Sequence, residues 1–109
     1  MSLKVYCTTA FRGFHRWADA PSEVNYLASV HRHTFHVRAE FAVRHGGRHI
    51  EFITKQAEID KAIASLRVEP DVLLWSCEMW AEAIGIAVGA DSVEVSEDGE
   101  NGAVWTKEE

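Results

Sequence analysis

Apolar and polar positions alternate from the start of the chain. Between Leu3 and Trp17, one face carries Val5, Cys7, Thr9, Phe11, Gly13, His15 and Trp17. The other carries Lys4, Tyr6, Thr8, Ala10, Arg12, Phe14 and Arg16. A period of two predicts a β-strand. The run is long for one strand, so a bulge or bend is expected near Gly13. Asp19-Ala20-Pro21-Ser22-Glu23 ends it and opens a loop. Val24 to Ser29 then leads into a second alternating run, His31 to Arg44. His45-Gly46-Gly47-Arg48 reads as a tight hairpin, because paired glycines accept the positive φ of two-residue turns. Ile50 and Phe52 are then expected to return as the second arm of that hairpin.

The period changes after Thr54, a residue suited to cap a helix. Ile59, Ala62, Ile63 and Leu66 recur at i, i+3, i+4 and i+7, which predicts one buried helical stripe. Lys55, Gln56, Glu58, Asp60 and Lys61 cover the opposite side. Arg67-Val68-Glu69-Pro70-Asp71 breaks this helix, since proline disfavours helix for the residue before it. Ser76 is the expected cap of a second helix with Trp80, Ala83, Ile84 and Ala87 buried, and Gly89-Ala90-Asp91 is its expected end. Ser92 to Ser96 alternates as a strand, Asp98 to Gly102 reads as a turn, and Ala103-Val104-Trp105 as the last strand. Lys107-Glu108-Glu109 is expected to fray.

The predicted order is strand, strand, helix, helix, strand, strand. Short turns between strand partners imply antiparallel pairing, and the two helices suffice to cover one face of a four-stranded sheet. The fold class expected is therefore α+β, with residues 1–109 forming a single domain. A four-stranded sheet leaves two open edges, so pairing with further copies is the expected remedy.

Composition adds exclusions. A formal charge of −6, with Lys and Arg scattered, gives no broad phosphate-binding surface, so nucleic acid is not an expected partner. No apolar run reaches the ~20 residues of a membrane-spanning helix. The first residues enter an alternating strand without an apolar signal core. Cys7 and Cys77 match no Cys-x-x-Cys spacing; free thiols in a reducing compartment are the simpler reading beside a disulfide. A soluble, cytoplasmic protein is expected.

Candidate chemistry centres on His31-Arg32-His33-Thr34-Phe35-His36-Val37. On a strand His31 and His33 share a face, so both imidazoles can reach one ion. His15 lies on the inward parity of the first strand and is the nearest third ligand. Three histidines are a zinc set that keeps its fourth position open, whereas structural zinc is usually closed by four protein ligands. His36 has the opposite parity and should face away. His45 and His49 flank the expected hairpin turn and read as exposed residues.

These segments resemble the 6-pyruvoyltetrahydropterin synthase and 6-carboxytetrahydropterin synthase family. Phe11-Arg12-Gly13-Phe14-His15-Arg16-Trp17 is similar to the family's Phe-x-x-x-His-x-Leu strand, and His31 to Val37 to its His-Gly-His-x-Tyr/Phe-x-Val. Glu51-Phe52 followed by Lys55 resembles Asp-Phe-x-x-Leu-Lys, and Ser76-Cys77-Glu78-Met79-Trp80-Ala81 resembles Thr-Ser-Glu-x-Leu-Ala. Glu97 falls where the family's pterin-anchoring glutamate lies. The resemblance implies a T-fold of ββααββ order and zinc (Zn2+) held by His15, His31 and His33. It also implies a pterin-like ligand gripped by Glu97, and homo-oligomers with sites at subunit interfaces. A carboxylate suits that grip, since it can accept two hydrogen bonds from the N–H edge of a pterin or guanine.

The departures are as informative. The family's catalytic cysteine position is Leu27, and the glutamate of a related branch is replaced by Ala28. The glycine between the paired histidines is Arg32. The connection from Arg67 to Trp75 lacks the family's Asp-His pair. Substitute acid–base groups must then be sought among Cys77, Glu23 and Asp71, with Tyr26 and Glu69 as further neighbours in sequence. Cys77 sits at a helix start, where the helix dipole would lower a thiol pKa, although packing or capping is the simpler role for it. Two functions follow from the resemblance. One is a zinc-dependent carbon–oxygen lyase acting on a dihydroneopterin-type substrate. The other is a non-catalytic T-fold binder of a pterin, purine or nucleotide-like ligand.

Overall fold

A computed structural model describes residues 2–108. Its elements are β1 (Leu3–His15), β2 (His31–Val43), α1 (Phe52–Leu66), α2 (Cys77–Val88), β3 (Ser92–Glu97) and β4 (Asn101–Thr106). Short 3-10 segments, Ser22–Ala28 and Val72–Leu74, join them. The four strands form one antiparallel sheet in the order β1-β2-β3-β4. The helices cover one face, giving the expected α+β layout of ββααββ order.

β2 is the spine of the core. Phe35, Val37, Ala39 and Phe41 alternate inward and are all buried, against Val93 and Val95 of β3 and Cys7 of β1. Ile59 and Ile63 of α1 and Trp80, Ala81 and Ile84 of α2 close the core from above. Each such large side chain contributes about 1.5–3 kcal/mol when fully buried. The inward rows of β1 and β2 are therefore held in register, and that register delivers the histidines.

The β1–β2 ladder is unbroken from Leu3↔Val43 to His15↔His31, so Gly13 marks no bulge. Its reason is steric. A Cβ there would stand 2.7 Å from the Phe35 ring, closer than real contacts allow. The expected hairpin at His45–Arg48 is also absent: the chain loops after Val43 and enters α1 at Phe52. β1 pairs along one side of β2 as far as Val43, and on the other β3 pairs up to Glu40 and Asp91 then accepts the Ala42 N–H, so Ile50 and Phe52 have no free edge to join. Glu51 instead starts a helix at Phe52. Its carboxylate caps α1, accepting from the Ile53 N–H at 2.6 Å and the Thr54 N–H at 3.0 Å. Thr54 thus bonds to the cap and is not the cap itself; its hydroxyl donates to Glu51 at 2.8 Å.

α2 begins as expected, with Ser76 Oγ accepting from the Met79 N–H, and ends at Gly89 with φ of 67°. Its buried stripe is rotated from the expected one. Ala87 is exposed and Gly85 is buried, because the Trp105 ring of β4 lies where a Gly85 side chain would be. Glu109 lies outside the described residues, but Lys107 is not frayed: its N–H donates to the Asp91 carbonyl and its Nζ stands 3.0 Å from Asp91 Oδ1. Both cysteines are free.

Candidate metal centre

The inward row of β1 ends at His15 and that of β2 begins at His31 and His33. Antiparallel register sets His15 opposite His31 and Gly13 opposite His33. One ligand atom from each of the three side chains lies within 4.8 Å of the other two, a group that can hold a metal ion. His15 is buried; His31 and His33 are half-buried. The rings meet edge to face, at interplanar angles of 69°, 86° and 86°.

The second nitrogen of each ring fixes which lone pair is free. His15 Nδ1 faces the Trp75 carbonyl at 3.0 Å and His31 Nδ1 the Ser29 carbonyl at 2.8 Å. His33 Nδ1 faces Asp98 Oδ2 at 2.7 Å. All three partners are acceptors, so each Nδ1 carries the hydrogen and donates it. Each Nε2 then presents a lone pair, the arrangement that orients metal-ligating imidazoles. Asp98 also accepts from the Thr34 N–H at 2.9 Å. The hydrogen bond from His33, followed by that from Thr34, holds its carboxyl below the usual range, so it stays an acceptor.

Sequence reasoning brought the three histidines together by parity but missed what aims them. Asp98 was legible only as a turn residue, and backbone carbonyls have no sequence signature. Asp98 has φ of 57°, a conformation Asp tolerates better than most residues, and it precedes Gly99 at φ of 76°. An Asp-Gly turn one residue past the inward row of β3 was the available signal.

Glu97 ends β3, paired with Phe35 of β2. Its Oε2 lies 2.9 Å from His15 Nε2 and 3.6 Å from His33 Nε2. His36 is exposed and on the opposite parity, as expected, and so is Arg32.

A cavity of about 570 Å³ opens beside His15 and His31. Ligand sites commonly enclose roughly 300–1,000 Å³. Trp17, Leu27, Trp75 and Met79 supply apolar walls, while Arg16 and Glu97 bring charge. The Nε of Arg16 is buried with no hydrogen-bond partner. Trp75 serves twice: its carbonyl orients His15, and the residue is part of the cavity wall.

The substitute acid–base candidates fare differently. Cys77 lines the cavity, but its thiol is pushed up to about 12. Burial is the main cause, followed by the charges of Glu97 and Glu78. Burial thus overrides the helix dipole that was expected to lower this pKa. Glu23 and Asp71 are exposed and form no part of the cavity wall. Glu23 accepts a hydrogen bond from Ser22 at 3.2 Å, and Asp71 precedes the Val72–Leu74 turn. Tyr26 and Glu69 are exposed as well.

No protein-family model matches the chain, and no curated protein matches it.

Proposed function

We propose that this protein is a zinc-dependent binder of a small pterin- or purine-like ligand and does not turn that ligand over. The observation that carries the reading is a metal-competent triad beside a cavity where Leu27 stands at the resembled family's cysteine position and Cys77 is a buried thiol. His15, His31 and His33 present three oriented Nε2 atoms beside the cavity. Leu27 contributes only an apolar wall, and Cys77 is a buried thiol held protonated. Loss of a positioned base typically removes ~10²–10⁴-fold of rate. A bound zinc ion would hold the three histidines, and with them the His15–His31 wall of the cavity, in the arrangement the ligand meets.

The chain's own residues supply the rest of recognition. Trp17 and Trp75 offer flat apolar faces for a heterocycle. Arg16, which lines the cavity, brings a guanidinium to a ligand acceptor. Glu97 accepts from the heterocycle's N–H edge. The fold is read as a T-fold, with β1 and β4 as the open edges through which copies pair, and the protein is placed in the cytoplasm.

Calorimetry with neopterin and with guanosine, with and without zinc, tests this directly. The expected result is binding of at least one of them that requires zinc and disappears in His33→Ala. Incubation with dihydroneopterin triphosphate should yield no product. Product formation would return the chain to the lyase reading, and absence of binding to the zinc-loaded protein would end the binder reading.

A further inference from the structure

Glu97 has a role at the metal that the ligand-gripping assignment does not contain. His15 Nδ1 donates to a carbonyl, so the Nε2 facing Glu97 Oε2 at 2.9 Å carries a lone pair in the neutral ring. The same holds for His33, whose Nδ1 donates to Asp98 while its Nε2 stands 3.6 Å from the same Oε2. A proton on Nε2 could bridge only the shorter pair, since 3.6 Å exceeds a hydrogen bond, whereas one metal ion among the three atoms accounts for both separations. Zinc binds nitrogen at 2.0–2.1 Å and carboxylate oxygen at 2.0–2.2 Å, so adjacent donors of a tetrahedral site lie roughly 3.3 Å apart. The two separations of Glu97 Oε2 bracket that spacing.

The placement follows from the fold. Glu97 is the last inward position of β3, after Val93 and Val95, and pairs with Phe35 next to His33. Asp98 then turns back: its N–H donates to the Thr34 carbonyl at 2.7 Å, and its carboxylate takes the His33 N–H. The bond that orients His33 and the Asp98–Thr34 bond beside it therefore hold the end of β3 against the triad. Glu97 makes no ion pair with His31 among the described residues, so its oxygen approaches from the His15–His33 side.

We infer that Glu97 is the fourth protein ligand of the metal, through Oε2, closing the site that three histidines alone would leave open. The inference rests on the metal reading above. It deepens that reading, because one carboxylate then serves two partners. Oε2 is committed to the ion and Oε1 is left for the ligand's N–H edge, so metal occupancy sets the orientation of the group that grips the ligand. A centre closed by four protein side chains also fits a protein that binds without catalysis, since catalytic zinc keeps a position for water or substrate.

Cobalt(II) substitution of the full chain provides the test. Wild-type protein loaded with Co2+ should show the intense visible bands of a four-coordinate site, and added azide should leave them unchanged. In Glu97→Ala azide should shift the bands, and Zn2+ affinity, measured by competition with a chromophoric chelator, should fall by at least about tenfold. Glu97→Gln should fall similarly, and Glu97→Asp less. Melting of the metal-free variants keeps folding separate from ligation: a variant that melts like metal-free wild type reports on the ligand alone. Azide altering the wild-type spectrum as it alters that of Glu97→Ala would overturn the inference, as would unchanged zinc affinity in a folded Glu97→Gln. Failure of wild type to bind either metal would instead defeat the metal reading itself.

Discussion

The chain carries two histidine groups, and the two meet opposite fates. His15, His31 and His33 converge at one end of the β1–β2 ladder; His45 and His49 lie in the loop beyond the other end. In the loop pair the rings stack, with centroids 5.3 Å apart and planes inclined by 23°. Their Nδ1 atoms accept hydrogen bonds, His45 from the Gly47 N–H and His49 from the Arg44 N–H, each at 3.0 Å. The hydrogen of each neutral ring therefore sits on Nε2, and the lone pair is spent on the backbone. In the triad the polarity is reversed: Nδ1 donates to Trp75, Ser29 and Asp98, and Nε2 is left as a donor atom for a metal. Residue type and proximity are shared by both groups. The partner of the second nitrogen separates a ligand set from a loop staple.

That contrast can be broken at several points. The largest effect is expected from His33→Ala. Removing one of three imidazoles should lower zinc affinity by at least about a hundredfold, read by chelator competition, because the inner shell loses a ligand and Glu97 loses a neighbour. Asp98→Asn should come next. Its side chain can still accept through oxygen, but the charge that strengthens the His33 N–H bond is gone. Orienting partners of this kind are worth about 10–100-fold in metal affinity, and the same titration reads it. The smallest effect belongs to the loop: His45→Ala and His49→Ala together should leave zinc affinity unchanged. A fall comparable to that of His33→Ala would erase the distinction between the groups.

Much of the architecture was legible in side-chain periodicity. Both long strands, the Ser76 cap, the Gly89 stop and the ββααββ order follow from local alternation, capping chemistry and a left-handed terminal glycine. The hairpin after Arg44 was misread because Gly46-Gly47 is a strong local turn signal. Occupation of β2's second edge by β3 is a long-range fact invisible in that window. Gly13 and the Ala87 end of the α2 stripe were misjudged for a related reason. Gly13 and Gly85 each make room for a ring, Phe35 or Trp105, brought from elsewhere in the chain.

The metal-competent triad was readable because strand parity is a local property and both strands keep it over their whole length. Its orienting partners were not. Two are main-chain carbonyls, and the third, Asp98, comes from a turn 65 residues away in the chain. Cys77 shows the same boundary from the other side. Its position at a helix start argues for a lowered pKa, but the burial that raises it is a property of the packed molecule.

X-ray absorption on the zinc-loaded full chain tests the central claim most directly. The account predicts a first shell of nitrogen and oxygen at about 2.0–2.2 Å, with outer-shell scattering from three imidazoles and no sulfur. A sulfur shell near 2.3 Å, or scattering from fewer than three imidazoles, would contradict it.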